Sequence, residues 1–557
     1  MKYLQTLFNL LLLFGTLLIA SSCKQQTKKA DLIITNANIW TGNSNKMKAQ
    51  AMAIAGDSII AIGTNEEIQT FRDDSTKVID VKSGFIAPGF IDCHVHLMSG
   101  GNGLLGVQLT DAKTPQEFTR RLAVYAKGIE RGTWIMEGNW DHTLWGGELP
   151  KKEWIDSVTK DNPVAVYRLD GHMLLANSKA LEIAGINKNT VDVPGGEIVR
   201  YKDGTPTGIL KDNAKELLLG KITPMTEKQK EKVFKAAMNY FLSNGVTSVN
   251  DVEGLSENYG SYGTAYKLRE SGELKVRIYA AKSLNQWERL AGMNRKDDKW
   301  LKTGILKGFV DGSLGSHTAS FRTAYTDKPT DKGFFINTRE DLYKWISAAD
   351  KIKLQITVHA IGDSAIHTLL DIYKRVIDEN GVRDRRLRIE HAQHIAPEDI
   401  KRFAELGIIA SMQPYHAIDD GRWAEMIIGP ERIKTTYAFK SLLDAKATVV
   451  FGSDWAVAPA IPIMGIYAAV TRRTLDDKNP GGWVPEQKIS VEQALTAYTK
   501  DAAYASFDEK IKGTLEPGKL ADFVILSEDI TRADPVTIKD IKVLQTYVGG
   551  KKVFEKK

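Results

Sequence analysis

Five polar residues stand where short apolar runs end, and together they could hold a metal ion. His94 and His96 follow Phe90-Ile91-Asp92. In a strand, residues i and i+2 point to the same face, so both imidazoles can grip one ion. One His-x-His pair is weak evidence, because such pairs are common by chance. Three later runs end in the same manner: His359 closes Gln355-Ile356-Thr357-Val358, His391 closes Arg388-Ile389-Glu390, and Asp454 follows Val449-Val450-Phe451-Gly452-Ser453. If the runs are parallel strands of a barrel, their C-terminal ends share one face and these side chains converge there. Coincidental burial of all five is disfavoured, since buried polar groups need partners. An imidazole-rich set with one carboxylate suits zinc, and metal-activated hydrolysis is the chemistry it supports.

The elements that must position these residues read as follows. Residues 85–95, 246–252, 276–281, 306–310, 354–359, 387–391, 408–412 and 448–453 are predicted buried strands, which makes eight and suits a closed (β/α)8 barrel of the α/β class. Helices lie between several of them. Thr226 and Gln229 have capping-box spacing at the head of a helix reaching residue 244, and Ser490 with Gln493 opens another over 490–504. A long insertion, residues 100–226, follows the first strand. It contains a helix starting at Thr114-Pro115, a strand at 164–168 and four tryptophans, Trp134, Trp140, Trp145 and Trp154. Residues 31–84 and 507–557 carry short strands with glycine turns, so a small β-sandwich built from both ends is expected beside a barrel domain at 85–506.

With 75 basic and 69 acidic residues the chain carries a formal charge of +6. No dense Lys/Arg stripe accompanies it, so nucleic acid is not expected as a partner. The two cysteines, Cys23 and Cys93, make no disulfide framework. Residues 1–22 read as a signal peptide, with Lys2 ahead of an apolar run shorter than the length that spans a membrane. Ala20-Ser21-Ser22-Cys23 resembles a bacterial lipobox, so Cys23 is the expected lipidation site, residues 23–30 a tether, and the cell envelope the location. A conventional signal peptide cleaved nearby, or an uncleaved anchor, is the alternative.

The ordered motifs carry a family resemblance. Gly89-Phe90-Ile91-Asp92-Cys93-His94-Val95-His96 resembles the opening metal motif of amidohydrolases. Lys307 with Asp311-Gly312 and His317, His359 with Asp363, Glu390-His391 with Gln393, Gln413-Pro414, Ser453-Asp454-Trp455 and residues 513–526 continue the series. In this order they are similar to the exoenzyme-regulator-like branch, amidohydrolase family 3, from about residue 31 to the C-terminus. The resemblance implies a metal-bearing barrel beside a β-sandwich and hydrolysis of a non-peptide carbon–nitrogen bond in a small molecule. It implies two zinc ions: His94 and His96 with Asp454 at the first, His359 and His391 at the second, and a carboxylated Lys307 bridging them. A lysine desolvated in a pocket loses its proton and can capture carbon dioxide; a simple ion pair of Lys307 with a nearby acid is the alternative. Asp454 would take a proton from the attacking water and deliver it to the leaving amine. His317 stands where relatives commonly carry arginine, so a substrate contact is altered there.

Other residues are less decided. Asp170-Gly171-His172 resembles a family segment in which His172 would contact substrate, and a structural histidine fits equally well. His416 lines the pocket by position. His142, His367 and His394 suit surface or supporting places. The tryptophans suit core packing of the insertion, with a lid over an apolar substrate as the sharper alternative. A mononuclear enzyme, an esterase and a non-catalytic binding lipoprotein remain rivals, and a homodimer is compatible with the sequence.

Overall fold

The computed structural model describes residues 29–556 except Asp170, His172, Gly195, Thr223 and residues 254–260. The expected signal peptide, Cys23 and His172 therefore lie outside the described residues.

Eight parallel strands form one sheet in chain order: β1 (Phe90–Val95), β2 (Val246–Asp251), β3 (Arg277–Ser283), β4 (Leu301–Phe309), β5 (Gln355–Ala360), β6 (Arg388–His391), β7 (Ile409–Met412) and β8 (Val449–Phe451). Almost every strand residue is buried, as expected when helices cover a parallel sheet. The sheet nearly closes between β8 and β1. There the Asp454 N–H donates to the His94 carbonyl at 2.8 Å, and Val95 bridges Trp455 in parallel. Gly452 permits this approach, because a Cβ there would lie 2.6 Å from the His94 nitrogen.

Two expected elements differ. The run 85–95 is two strands: Phe85–Pro88 pairs with Phe523–Leu526 and Asn38–Trp40 in another sheet, and only β1 enters the barrel. The chain changes sheets at Gly89, pressed so closely on Thr247 that a Cβ would meet its hydroxyl at 2.3 Å. The helix expected over 490–504 is broken into Val491–Ala497 and Lys500–Ala505. The Tyr498 carbonyl accepts the Ile91 N–H at 2.8 Å, tying that bend to β1, and Thr499 between the two helices has φ −131° and ψ −87°. Both expected capping boxes are present, Thr226 with Gln229 and Ser490 with Gln493.

The insertion builds a five-stranded sheet of its own, Gly196–Arg200, Pro206–Asp212, Met173–Ala176, Val164–Arg168 and Ile135–Trp140 in spatial order. Trp140 is fully buried there and its indole N–H donates to the Val166 carbonyl at 2.8 Å. Trp145 and Trp154 pack partly buried on the same cluster and Trp134 on its neighbour, so the four tryptophans serve the insertion's core.

Strands from both ends of the chain form a six-stranded and a four-stranded sheet. Ile34, Met52 and Ile54 of one pack with Ile39, Ile86, Phe523 and Tyr547 of the other in a single core. Arg277, at the start of β3, holds Asp522 through Nε at 2.6 Å and Nη2 at 2.8 Å, fastening these sheets to the barrel bottom. Among the described residues, no helix is long and apolar enough to cross a membrane.

Candidate metal centre

The C-terminal ends of the barrel strands carry the candidate ligands. His94 is on β1 and His96 just past it, Lys307 is on β4, His359 on β5, His391 ends β6, and Asp454 lies three residues past β8. Asp454 and His391 leave their strands in left-handed backbone conformation, φ 62° and 70°. Non-glycine residues rarely adopt it, and such strain gathers at functional sites.

The donor atoms of His94, His96 and Asp454 lie within 4.8 Å of one another, and so do those of His391, His416 and Asp454. Asp454 Oδ1 is 3.2 Å from His94 Nε2 and 3.1 Å from His96 Nε2. The His359 and His391 rings stand 4.4 Å apart, and His359 Nε2–H donates to the Gly312 carbonyl at 3.0 Å. Lys307 Nζ is 3.4 Å from His94 Nε2. His416 Nε2 is buried, 3.9 Å from Asp454 Oδ2, and makes no hydrogen bond among the described residues.

Burial sets the charge states. It pushes His359 down to about 3, with Lys307 adding to the effect, and pushes His391 well below the usual imidazole range. Both rings are neutral nitrogen donors at neutral pH, the form a metal needs. Burial also pulls the Lys307 amine down to about 8, against the opposing pull of Glu390 and Asp454. Burial alone would raise Asp454, yet the His94 and His96 rings hold its carboxyl well below the usual range. The set thus fits a divalent cation in its chemistry: neutral imidazoles around an ionised carboxylate, buried and pre-gathered.

Residues 77–554 match the amidohydrolase family. The chain belongs to that family. Protein LONG AFTER FAR-RED 3 of Arabidopsis thaliana is 40% identical over 94% of this chain and 92% of its own length. N-substituted formamide deformylase of Arthrobacter pascens is 26% identical over 95% of this chain and 99% of its own. A metal-dependent hydrolase structure from Pyrococcus horikoshii covers 90% of this chain and 99% of its own, with 27% identity and a TM-score of 0.77. This amidohydrolase is accordingly a metal-dependent hydrolase with a nearly closed eight-stranded barrel.

Several residues that orient the amidohydrolase site have no role in the sequence reading. The His94 Nδ1–H donates to Glu390 Oε2 at 2.6 Å, while Arg388 binds the other carboxylate oxygen at 2.8 Å. Gln413 Oε1 is 2.9 Å from His391 Nδ1. Asp311 accepts the backbone N–H groups of Ser320, Ile361 and Gly362, gathering the loops behind His359. Glu390 sits one residue before His391, so alternation in a strand would have aimed it away from the site; both reach the site because His391 leaves the strand in left-handed conformation, φ 70°. The partner of Glu390, 296 positions away, left no local signal. Of the remaining histidines, His317 pairs with Asp327 at 2.9 Å, His367 with Asp399 at 3.0 Å, and His394 is buried against Thr436.

Proposed function

We propose that this amidohydrolase cleaves a non-peptide carbon–nitrogen bond, in an amide, formamide or cyclic amide. The observation that carries the proposal is the meeting of buried His94 and Asp454 with the partly exposed His96 at the barrel mouth, with the neutral His359 and His391 rings beside them. The likeness to the N-substituted formamide deformylase of Arthrobacter pascens supports a formamide or related amide.

His94, His96 and Asp454 would hold one zinc ion, and His391 with His359 a second, bridged by carboxylated Lys307. His416 completes an alternative donor set with His391 and Asp454; as a substrate contact instead, its free Nε2 faces the Asp454 carboxylate. His172 would contribute a further substrate contact. Bound divalent cations would polarise the substrate carbonyl and acidify water enough for attack near neutral pH. Asp454, ionised and touching both histidines, receives the proton of the attacking water and passes it to the leaving nitrogen. Glu390 keeps the His94 Nδ1 protonated, so that Nε2 faces the site.

The terminal sheets would correspond to the small β-sandwich expected from the sequence, and the hydrolase unit expected over 85–506 would begin at β1, since Phe85–Pro88 pairs with Phe523–Leu526. Lipidation at Cys23 would place the enzyme at the cell envelope, acting on a small-molecule substrate. Elemental analysis of protein purified without chelator, followed by hydrolysis assays on formamides and N-acyl amino acids, tests the proposal. A metal-replete protein that cleaves none of them would overturn it.

A further inference from the structure

A cavity of about 240 Å³ opens between the insertion and the segments that follow His96 and Asp454, with none of the candidate ligands in its wall. Its walls continue the ligand-bearing segments. One is helix α1 (Leu97–Leu105), which begins directly after His96 and contributes Gly103 and Leu104. Another is the segment Trp455 to Pro459, which begins directly after Asp454. Val107, Asn139 and Leu169 of the insertion close it on a third side, and Tyr240 of helix α2 (Glu227–Ser243) on the fourth. The Tyr240 ring stacks on Trp455 at 5.1 Å, and Gly100 sits where a Cβ would meet the indole at 2.5 Å, so the wall nearest Asp454 is held rigidly.

Three observations say what this space takes. No charged side chain lines it among the described residues, and Gln108, Thr110 and Asn139 set polar groups beside its apolar walls. Leu104 and Val457 line it while 40% and 43% exposed, and apolar side chains left open in a concavity are the surface a ligand covers. Glu137, Gly138 and Asn139 run through successive left-handed conformations at φ 64°, 99° and 52°, a strained turn that brings Gly138 and Asn139 to the wall. The volume equals roughly eight waters of liquid, enough for a ring or a short alkyl chain and too little for a whole drug-sized ligand.

We infer that this cavity is the recognition pocket for an uncharged substituent of the substrate with an apolar face toward Leu104 and Val457, about the size of a butyl to hexyl chain or a phenyl ring. The inference rests on the hydrolytic reading above and adds the substrate class to it. Cleavage takes place at the strand ends, while the substituent is buried between the insertion and the barrel. The insertion thereby acts as a specificity element.

Full-length, zinc-reconstituted protein assayed on N-methyl-, N-butyl- and N-hexylformamide should show kcat/KM rising at least about tenfold from methyl to hexyl. The N-formyl derivative of 6-aminohexanoate, which ends the chain in a carboxylate, should lose that gain. Gly103 offers a clean block, because an added Cβ meets nothing within 4 Å. Gly103→Phe should lower the hexyl-to-methyl ratio about tenfold and Gly103→Ala less. A wild-type ratio near one, or a ratio that Gly103→Phe leaves as it was, overturns the pocket while the hydrolytic reading stands. Absence of formamide cleavage leaves the hydrolytic reading to the N-acyl amino acid assays above, and calorimetric titration with hexanamide then decides the pocket. Binding that Gly103→Phe abolishes sustains it, and binding that is absent or unaffected overturns it.

Discussion

His94 and Glu390 share a 2.6 Å hydrogen bond from which solvent is excluded, the imidazole Nδ1–H donating to the carboxylate. Burial alone would raise Glu390, but Arg388 and His94 keep its carboxyl well below the usual range. The bond leaves His94 Nε2 directed at Asp454 and Lys307. Arg388 is fully buried as well, and it also donates to Asn250, to Ser411 and to the Cys93 carbonyl.

Glu390→Gln keeps an acceptor for His94 and removes the charge. Metal affinity should fall about 10–100-fold, the usual effect of losing a group that orients a ligand. Leaving Arg388 without its counter-charge should destabilise the fold by about 3–5 kcal/mol. Competition with a chelator measures the first and denaturant unfolding the second. Unchanged metal affinity would leave Glu390 without an orienting role.

Lys307 offers a pH-dependent test. Capture of carbon dioxide needs the neutral amine, and burial pulls this one to about 8. Its neutral fraction should rise from roughly a tenth at pH 7 to roughly nine tenths at pH 9. Metal reconstitution of chelator-stripped protein, in buffers holding the same dissolved carbon dioxide, should be faster at pH 9. Lys307→Ala should take up less metal and ignore carbon dioxide. A variant with full metal content and activity would remove the bridging role.

Asp454→Asn retains the size and one oxygen but cannot take the water's proton. Turnover should fall by about 10²–10⁴ with at least one metal retained, and substrate affinity should change far less. Steady-state kinetics with parallel metal analysis checks this, and near-native turnover would exclude Asp454 as the base.

Asp522 joins β3 to the terminal sheets by gripping Arg277 and accepting the Gly549 N–H at 2.7 Å. Asp522→Ala strands a buried guanidinium, so the fold should lose about 3–5 kcal/mol. The metal centre lies at the opposite, C-terminal end of the strands, so metal content of the folded fraction should hold. Calorimetry and elemental analysis separate the two effects.

Glu137 is buried with Asn102 as its hydrogen-bond partner, at 3.1 Å, and burial pushes its carboxyl from 4.5 up to about 7. Between those values the folded chain holds a proton that the unfolded chain has released. This contribution to stability is therefore complete below about 4.5 and lost as pH rises through about 7. Glu137→Gln cannot ionise, so at pH 8 it should be more stable than wild type by about 1–3 kcal/mol, with the gap narrowing at pH 5. A variant less stable than wild type at pH 8 would contradict this account.

Local pattern was enough to read much of this protein. Apolar runs of strand length, capped helices and polar residues at the run ends encode the eight strands, both capping boxes and the positions of His94, His96, His359, His391 and Asp454, because periodicity and capping act over a few residues. The division of residues 85–95 was not legible: Phe85–Pro88 and β1 are both apolar, and only the strands they pair with, hundreds of residues away, send them to different sheets. The insertion's sheet was hidden for a related reason, since its strands are short and Ile135–Trp140 contains three left-handed residues that spoil the alternation. Glu390 facing His94, Gln413 facing His391 and the cavity between α1 and the Trp455 segment exist only once the barrel closes. Closure brings residues remote in sequence within hydrogen-bond distance, and the burial it creates sets which of them are charged.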